Sequence, residues 1–291
     1  MKYIKKVIVF VLIAVIVLIF KNYDSYTLSS NPVILDDKLF VNFIDVGQGD
    51  SIFIELPNNE TMLIDAGEKY ESANVIDFIN DKGYSKIDYL IGTHPHSDHI
   101  GGLTDVINSY DVKEIYLPKV IHTSQTYETL LNTIDSLKLK VNAAFSGMVI
   151  FQDENLKITI LSPTVEEYSN LNNYSVVVKL EYGATSFLFM GDAEALVEKD
   201  IIEYANSDVI KVGHHGSDTS SSIDFVNTVD ADYAVIMSGK DNQYDLPSSN
   251  VVDRWTESGA KVFNTSVNGN IIFSSDGNNI FVEVEYEGNS W

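Results

Sequence analysis

The segment Thr93-His94-Pro95-His96-Ser97-Asp98-His99 follows the apolar stretch Asp88-Tyr89-Leu90-Ile91. The chain has six histidines, and three of them fall between positions 94 and 99, beside an aspartate. In an extended segment residues i and i+2 point the same way, so His94 and His96 can share one metal ion. Pro95 stiffens the segment and removes a backbone donor that would otherwise need a partner. Asp98 and His99 come after the turn, at an expected helix start, and point toward a second ion. Two ions about 3.5–4 Å apart would clamp a scissile group and acidify a bridging water. The bland alternative is a polar turn that happens to hold histidines, and so dense a cluster argues against it.

Two later segments complete the pattern. TSFLFMGDAE (185–194) ends an apolar strand on Gly191-Asp192, and DVIKVGHHGSDTSSS (208–222) does the same with His214-His215. Asp192 can bridge two cations, and one of the paired histidines can finish the second site. The other then supports the site from behind or faces the substrate. Taken alone, Asp192 is equally a helix N-cap before ALVEK. His122, alone in a loop, reads mainly as a solvated histidine. Gln48 and Asp50 sit on a glycine-rich turn from which they can reach the metal loop, although a tight hairpin also explains the glycines. Ser217 and Ser220 to Ser222 suit either a phosphate at a helix start or ordinary capping.

Around these segments the chain reads as strands LFVNFIDV, SIFIEL, TMLIDA, DYLIGTH and EIYLP, with NVIDFINDKG, DHIGGLTDVINSY and YETLLNTIDSLK helical. The second half gives strands MVIFQD, LKITILSP, SVVVKLEYG, TSFLFMG, DVIKVG, DYAVIMSG, KVFN, NIIFSS and FVEVEY, with AEALVEKDIIEYA and VVDRWTESGA helical. Strands in both halves, each set followed by helices, predict two packed sheets covered outside by helices. Residues 39–291 read as one domain.

Cysteine is absent from the 291 residues, which excludes disulfides, thiolate metal sites and cysteine nucleophiles. The formal charge is −23. Four of the 19 cations (Lys2, Lys5, Lys6, Lys21) flank the first apolar run, leaving 15 against 42 anions beyond it. That balance argues against a protein gripping nucleic acid through a basic face. Val7 to Phe20 is an unbroken apolar run of 14 residues. With Tyr3, Ile4 and snorkelling lysines it comes close to a membrane span. Residues 1–21 are therefore expected to be an uncleaved anchor, with a cleaved signal peptide as the rival. The lysine bias puts the rest of the chain outside the cell. Residues 22–38, polar and holding Asn31-Pro32, read as a linker.

THPHSDHIGG resembles the HxHxDH motif of the metallo-β-lactamase superfamily. FIDVGQGDSIFIEL, LIDAGE, NNYSVVVKL, FLFMGDAE and VIKVGHHGSDTSSS, in this order, resemble its ComEC or competence-type branch. The resemblance covers about residues 39–275. It implies a four-layered αββα sandwich with a two-metal hydrolase site. His94 and His96 would hold the first metal, Asp98 and His99 the second, with Asp192 as bridge and His214 as the further ligand. Asp65 matches an acidic motif that usually braces the metal loop. Asp98, Asp192 and His215 are the catalytic candidates. Two departures stand out. Asn172-Asn173 lies where many members supply another histidine to the first metal. Tyr244-Asp245-Leu246-Pro247 lacks the histidine the branch commonly has before that proline.

The expectation is an extracytoplasmic metal-dependent hydrolase, a phosphodiesterase or nuclease working with two divalent ions, zinc or manganese first. Its substrate would be a phosphodiester in DNA or a wall polymer, and no protein partner is expected. The alternatives are a hydrolase of lactones, β-lactams or wall-polymer esters, or a catalytically idle binding module of the same fold.

Overall fold

The computed structural model describes residues 38–288. The expected anchor, and the expected linker up to residue 37, lie outside the described residues. Among the described residues no helix is long and apolar enough to cross a membrane.

Among the described residues fifteen strands form two sheets. The first strands are β1 (Leu39–Phe43), β2 (Ile52–Glu55), β3 (Thr61–Ile64), β4 (Lys86–Ile91), β5 (Asp111–Pro118) and β6 (Val141–Ala144). Next come β7 (Val149–Gln152), β8 (Leu156–Ser162), β9 (Val177–Tyr182), β10 (Thr185–Phe189) and β11 (Val209–Lys211). The last are β12 (Tyr233–Ile236), β13 (Lys261–Asn264), β14 (Ile271–Ser275) and β15 (Ile280–Val284). The first sheet runs β15-β14-β1-β2-β3-β4-β5-β6 and the second β13-β12-β11-β10-β9-β8-β7. In each, an antiparallel part gives way to parallel strands, β3 to β6 in one and β10 to β13 in the other.

Side-chain alternation sorts the residues into layers. In β10, Phe187 and Phe189 join the central core between the sheets, and Leu188 joins the outer cluster. In β2, Ile52 and Ile54 point to the centre and Phe53 points outward. Period-two alternation with both faces apolar is what a doubly covered sheet requires. Helices Ser72–Asp81, Leu103–Ser109 and Gln125–Leu137 cover the first sheet with Val75, Ile79, Val106, Leu130 and Ile134. Helices Ala195–Ile201, Ile223–Val229 and Ser249–Glu257 cover the second with Val197, Phe225, Val251 and Trp255. A mixed α/β sandwich of two sheets results. Fully burying each of these Phe, Leu or Ile side chains stabilises the fold by roughly 1.5–3 kcal/mol.

Three local features depart from the sequence reading. β6, Val-Asn-Ala-Ala at the sheet edge, has only one buried residue and so lacks an apolar run to announce it. The short helix Ile223–Val229 was not expected. The helix expected over 98–110 breaks into Ser97–Ile100 and Leu103–Ser109 at Gly101-Gly102. A Cβ on Gly102 would stand 2.3 Å from the Ala66 carbonyl oxygen, so the glycine permits the metal loop to lie against Asp65-Ala66-Gly67.

Candidate metal centre

The chemistry-bearing residues sit just past the C-terminal ends of β3, β4, β10 and β11. Asp65 follows β3, His94 to His99 follow β4, Asp192 follows β10, and His214-His215 follow β11. Two donor groups converge there: His94, His96 and Asp192 in one, and Asp98, His99, Asp192 and His215 in the other.

Asp192 is the hinge between them. On its Oδ1 side stand His99 Nε2 at 3.2 Å and His215 Nε2 at 3.4 Å. Asp98 Oδ2 lies 3.3 Å from His215 Nε2 and 3.9 Å from His99 Nε2. On the Oδ2 side His94 Nε2 is 3.6 Å away, and His96 Nδ1 lies 2.9 Å from that same His94 nitrogen.

Proton bookkeeping shows which nitrogens are free. The Met237 carbonyl can only accept, so His215 Nδ1, 2.8 Å from it, carries a hydrogen, and Nε2 is the nitrogen at which a metal would replace a proton. His99 Nδ1 donates to Asp65 Oδ2 at 2.8 Å, with the same consequence. The Thr93 hydroxyl donates to Asp65 Oδ2 at 2.6 Å, so its oxygen accepts from His94 Nδ1 at 3.1 Å. Each ring is thereby turned with Nε2 inward. His99 Nε2, His215 Nε2 and Asp192 Oδ1 are buried without a hydrogen-bond partner among the described residues, though they face one another. Buried polar atoms left unpaired are costly, and a cation between these three would satisfy all of them. The donor set fits divalent metal.

Asp65 acts as the brace the resemblance implied. It takes the Thr93 N–H at 2.8 Å and the Thr93 hydroxyl and His99 at its other oxygen, itself holding a positive φ of 57°. Asp50, on its glycine turn, is buried behind the two rings, with Oδ1 3.4 Å from His215 Nδ1 and Oδ2 3.7 Å from His99 Nδ1. Gly49 makes that position accessible, because a Cβ there would stand 2.2 Å from the Asp98 carbonyl oxygen.

Burial works to lower the pKa of His99 and His215. The carboxylates outweigh it, Asp192 foremost, and hold both rings well above the ordinary imidazole value. His94 is pushed well below that value by burial and by the charge of His99. His96 and His214 are lowered too, chiefly by burial. Burial raises Asp192, but the charges of His215 and His99 prevail and keep it well below the usual carboxylate range.

The paired histidines differ from the sequence expectation. Both hold left-handed backbone (φ 49° and 53°), which splays the rings to opposite sides of Asp192. His215 joins Asp98 and His99 in the donor group. His214, assigned as the further ligand, lies on the Oδ2 side at 3.9 Å, tied to Thr219 at 2.9 Å and close to Asn172 and Glu194. The loop carrying them is pinned by Glu198, which accepts from Ser221 and Ser222 backbone N–H groups, and by Ser220 Oγ donating to Gly213 O at 2.7 Å. Ser220 to Ser222 thus serve the loop, and Ser217 alone of those serines reaches the cavity. His122 bonds Ser124, the N-cap of its helix, and belongs to neither donor group.

The donors open into a cavity of about 490 Å³ lined further by Gln48, Asn172, Ser217, Tyr244 and Leu246. Leu246 faces this cavity, in a loop pinned by Asn242 at both its N–H and its carbonyl. Lys211, which the sequence reading passed over, is fully buried beside Asp50. Its signal was a lysine inside the apolar run Val209-Ile210-Lys211-Val212.

Residues 44–240 match the metallo-beta-lactamase superfamily, and the chain belongs to it. Among characterised sequences it is similar to ComE operon protein 3 of Bacillus subtilis (strain 168), 31% identical over 251 residues, 79% of this chain and 32% of that protein. It is also similar to Competence protein ComA of Neisseria gonorrhoeae, 27% identical, over 88% of this chain and 35% of that protein. The chain spans about a third of the length of these relatives. Among solved structures it is similar to CmlA, a diiron beta-hydroxylase from Streptomyces venezuelae, with TM-score 0.52 and 13% identity, covering 77% of this chain and 52% of that one. That likeness is one of fold.

Proposed function

We propose that the protein is a metal-dependent phosphodiesterase whose catalytic domain lies outside the cytoplasmic membrane, with DNA as its first substrate and a wall-polymer phosphodiester as the second. The observation that carries this reading is the pair of donor groups sharing Asp192 at the base of an open cavity. His94, His96 and Asp192 would hold one divalent ion, zinc or manganese, and Asp98, His99, His215 and Asp192 the other. Such ions supply Lewis acidity toward a phosphoryl oxygen and acidify an attacking water.

The residues provide the rest. Asp192, 3% exposed at its side chain, fixes the two groups against each other. Asp98, 24% exposed, is the more open of the two carboxylates at the cavity and would accept a hydrogen bond from the attacking water and orient it. The amides of Gln48 and Asn172 and the Ser217 hydroxyl are donors suited to phosphoryl oxygens, and the Tyr244 hydroxyl is a donor suited to the leaving oxygen. Among the described residues no lysine or arginine lines the cavity. A phosphate is therefore held here by the metal centre and neutral donors, and binding to DNA should vary little with salt. The competence-type sequence resemblance favours DNA, and the net negative charge keeps the wall polymer in contention.

The test is turnover of bis(p-nitrophenyl) phosphate, DNA, teichoic acid, a lactone and a β-lactam by the full chain reloaded with zinc or manganese. Metal-dependent cleavage of the phosphodiesters alone is expected. Cleavage of the lactone or β-lactam alone would reassign the reaction, and no turnover by metal-replete protein would leave a binding module. For location, protease added to intact cells should digest the chain beyond Lys21, and full protection would overturn the outward topology.

A further inference from the structure

Lys211 is fully buried, and nothing in the reaction just described uses it. It is the last residue of β11, two positions after Val209, which packs into the core between the sheets. Its side chain therefore points across that core toward the first sheet. There Nζ meets Asp50 Oδ2, donates to the Gly191 carbonyl at 2.8 Å, and stands 3.9 Å from Asp192 Oδ1.

The neighbourhood contains a competing donor group. Asp50, Asp65 and His99 converge on the outer, Nδ1 face of His99. Asp65 there is occupied by Thr93 and His99 itself. Asp50 Oδ1 has no hydrogen-bond partner among the described residues, and the nearest ring nitrogen, His215 Nδ1 at 3.4 Å, is bonded to the Met237 carbonyl instead. The segment is stitched in place by Asp50 N to Asp98 O at 3.2 Å and Gly67 N to Asp50 O at 2.8 Å, so it cannot retreat. Of the groups against the carboxylate, with His99 at 3.7 Å and His215 at 3.4 Å, the lysine makes the closest contact.

We propose that Lys211 is a positioning residue that holds Asp50 behind His99 and His215, preventing a metal ion from being captured at Asp50, Asp65 and His99 Nδ1. By neutralising Asp50 and anchoring the Gly191 carbonyl, it directs metal to the inward Nε2 faces, where Asp98 and Asp192 wait. A cation already seated against Asp50 repels a second cation from that face at short range. The inference rests on the metal-centre reading and is independent of the substrate.

The experiment titrates cobalt(II) and zinc into the chelator-stripped full chain and reads affinity together with the cobalt visible spectrum. Lys211→Met should lower affinity at the Asp98/His99/His215 group about 10- to 100-fold, the scale of losing a partner behind a ligand. It should also change the cobalt spectrum as His99 is drawn to its other face. Lys211→Met combined with Asp50→Asn removes the competing carboxylate, and should restore the original spectrum and recover part of the affinity that Lys211→Met loses, the rest being the carboxylate taken from behind the rings. A lysine needed only for stability would lower the melting temperature yet leave affinity and spectrum unchanged in Lys211→Met, which overturns the proposal. Failure of the double variant to recover would overturn it as well. Should Lys211→Met not fold, the double variant decides: the wild-type cobalt spectrum supports the role and an altered spectrum refutes it. Wild-type protein that binds no metal sinks the centre itself, whereas metal binding without phosphodiester turnover sinks only the proposed reaction.

Discussion

On the Oδ1 side of Asp192 stand His99, His215 and Asp98, and behind the two rings lie the carboxylates of Asp65 and Asp50. On the Oδ2 side stand His94 and His96, with hydroxyls of Thr93 and Ser175 behind His94. His99 and His215 are buried and Asp98 is half-buried at the cavity, and His94 is likewise buried with His96 half-buried at the cavity. A carboxylate behind an imidazole raises its basicity as a ligand, and a hydroxyl does so less. Asn172, near the Oδ2 side, adds an amide where a further imidazole would strengthen the group. The two halves of one centre are therefore built for unequal grip. The Asp98/His99/His215 half should fill first and hold its ion, and the His94/His96 half should exchange more readily.

The comparison breaks most visibly at the residue both halves share. Asp192→Ala should lose both ions and lower phosphodiester turnover by about 10³-fold, since the charge stabilisation in the site disappears with the metal. Metal analysis checks it: retention of one tightly bound ion would mean that Asp192 belongs to one half only. Next in size is the contrast between neighbours. His215→Ala should weaken the tighter site on the order of 100-fold, whereas His214→Ala should cost less than about tenfold. A larger loss from His214→Ala would restore that residue to the ligand set. In the other half, His96→Ala should abolish the weaker binding event and spare the tighter one.

Much of this was legible before any coordinates. Apolar strands ending in His, Asp and His-His announce a sandwich with its chemistry at the strand ends, because alternation and strand termination are local properties. Choosing between His214 and His215 was not local. Consecutive residues face different ways, by an angle that the backbone sets, and which of them meets Asp98 depends on the left-handed turn after β11. Lys211 escaped for a related reason. In an apolar strand a lysine reads as an edge or an error until a carboxylate from another sheet is placed against it. Asp50 appeared as an equivocal turn residue because the partners of its carboxylate lie 49 or more positions away. β6 and the Ile223–Val229 helix were too short to carry a periodic signal.

The finest distinction between the halves is in protons. Above their ordinary pKa the rings of His94 and His96 are neutral, since burial lowers both. They give up no proton to a metal at pH 7. His99 and His215 are opposed by burial, but Asp192 and the surrounding carboxylates raise them well above the ordinary value, so both are protonated at pH 7 in chelator-stripped protein. A metal binds only the neutral ring, and it must therefore displace those protons. Affinity of the Asp98/His99/His215 half should rise with pH from about 6.5 toward the raised values, by up to about 100-fold per pH unit while both rings titrate together. Affinity of the His94/His96 half should stay nearly flat over the same interval. Calorimetric titration at pH 7 in buffers of different ionisation enthalpy reads this directly, because released protons add the buffer's heat. The tighter equivalent should release up to about two protons and the weaker close to none. Should the tighter equivalent release none while the weaker releases its protons, the order of filling argued from the carboxylates behind His99 and His215 would have to be reversed.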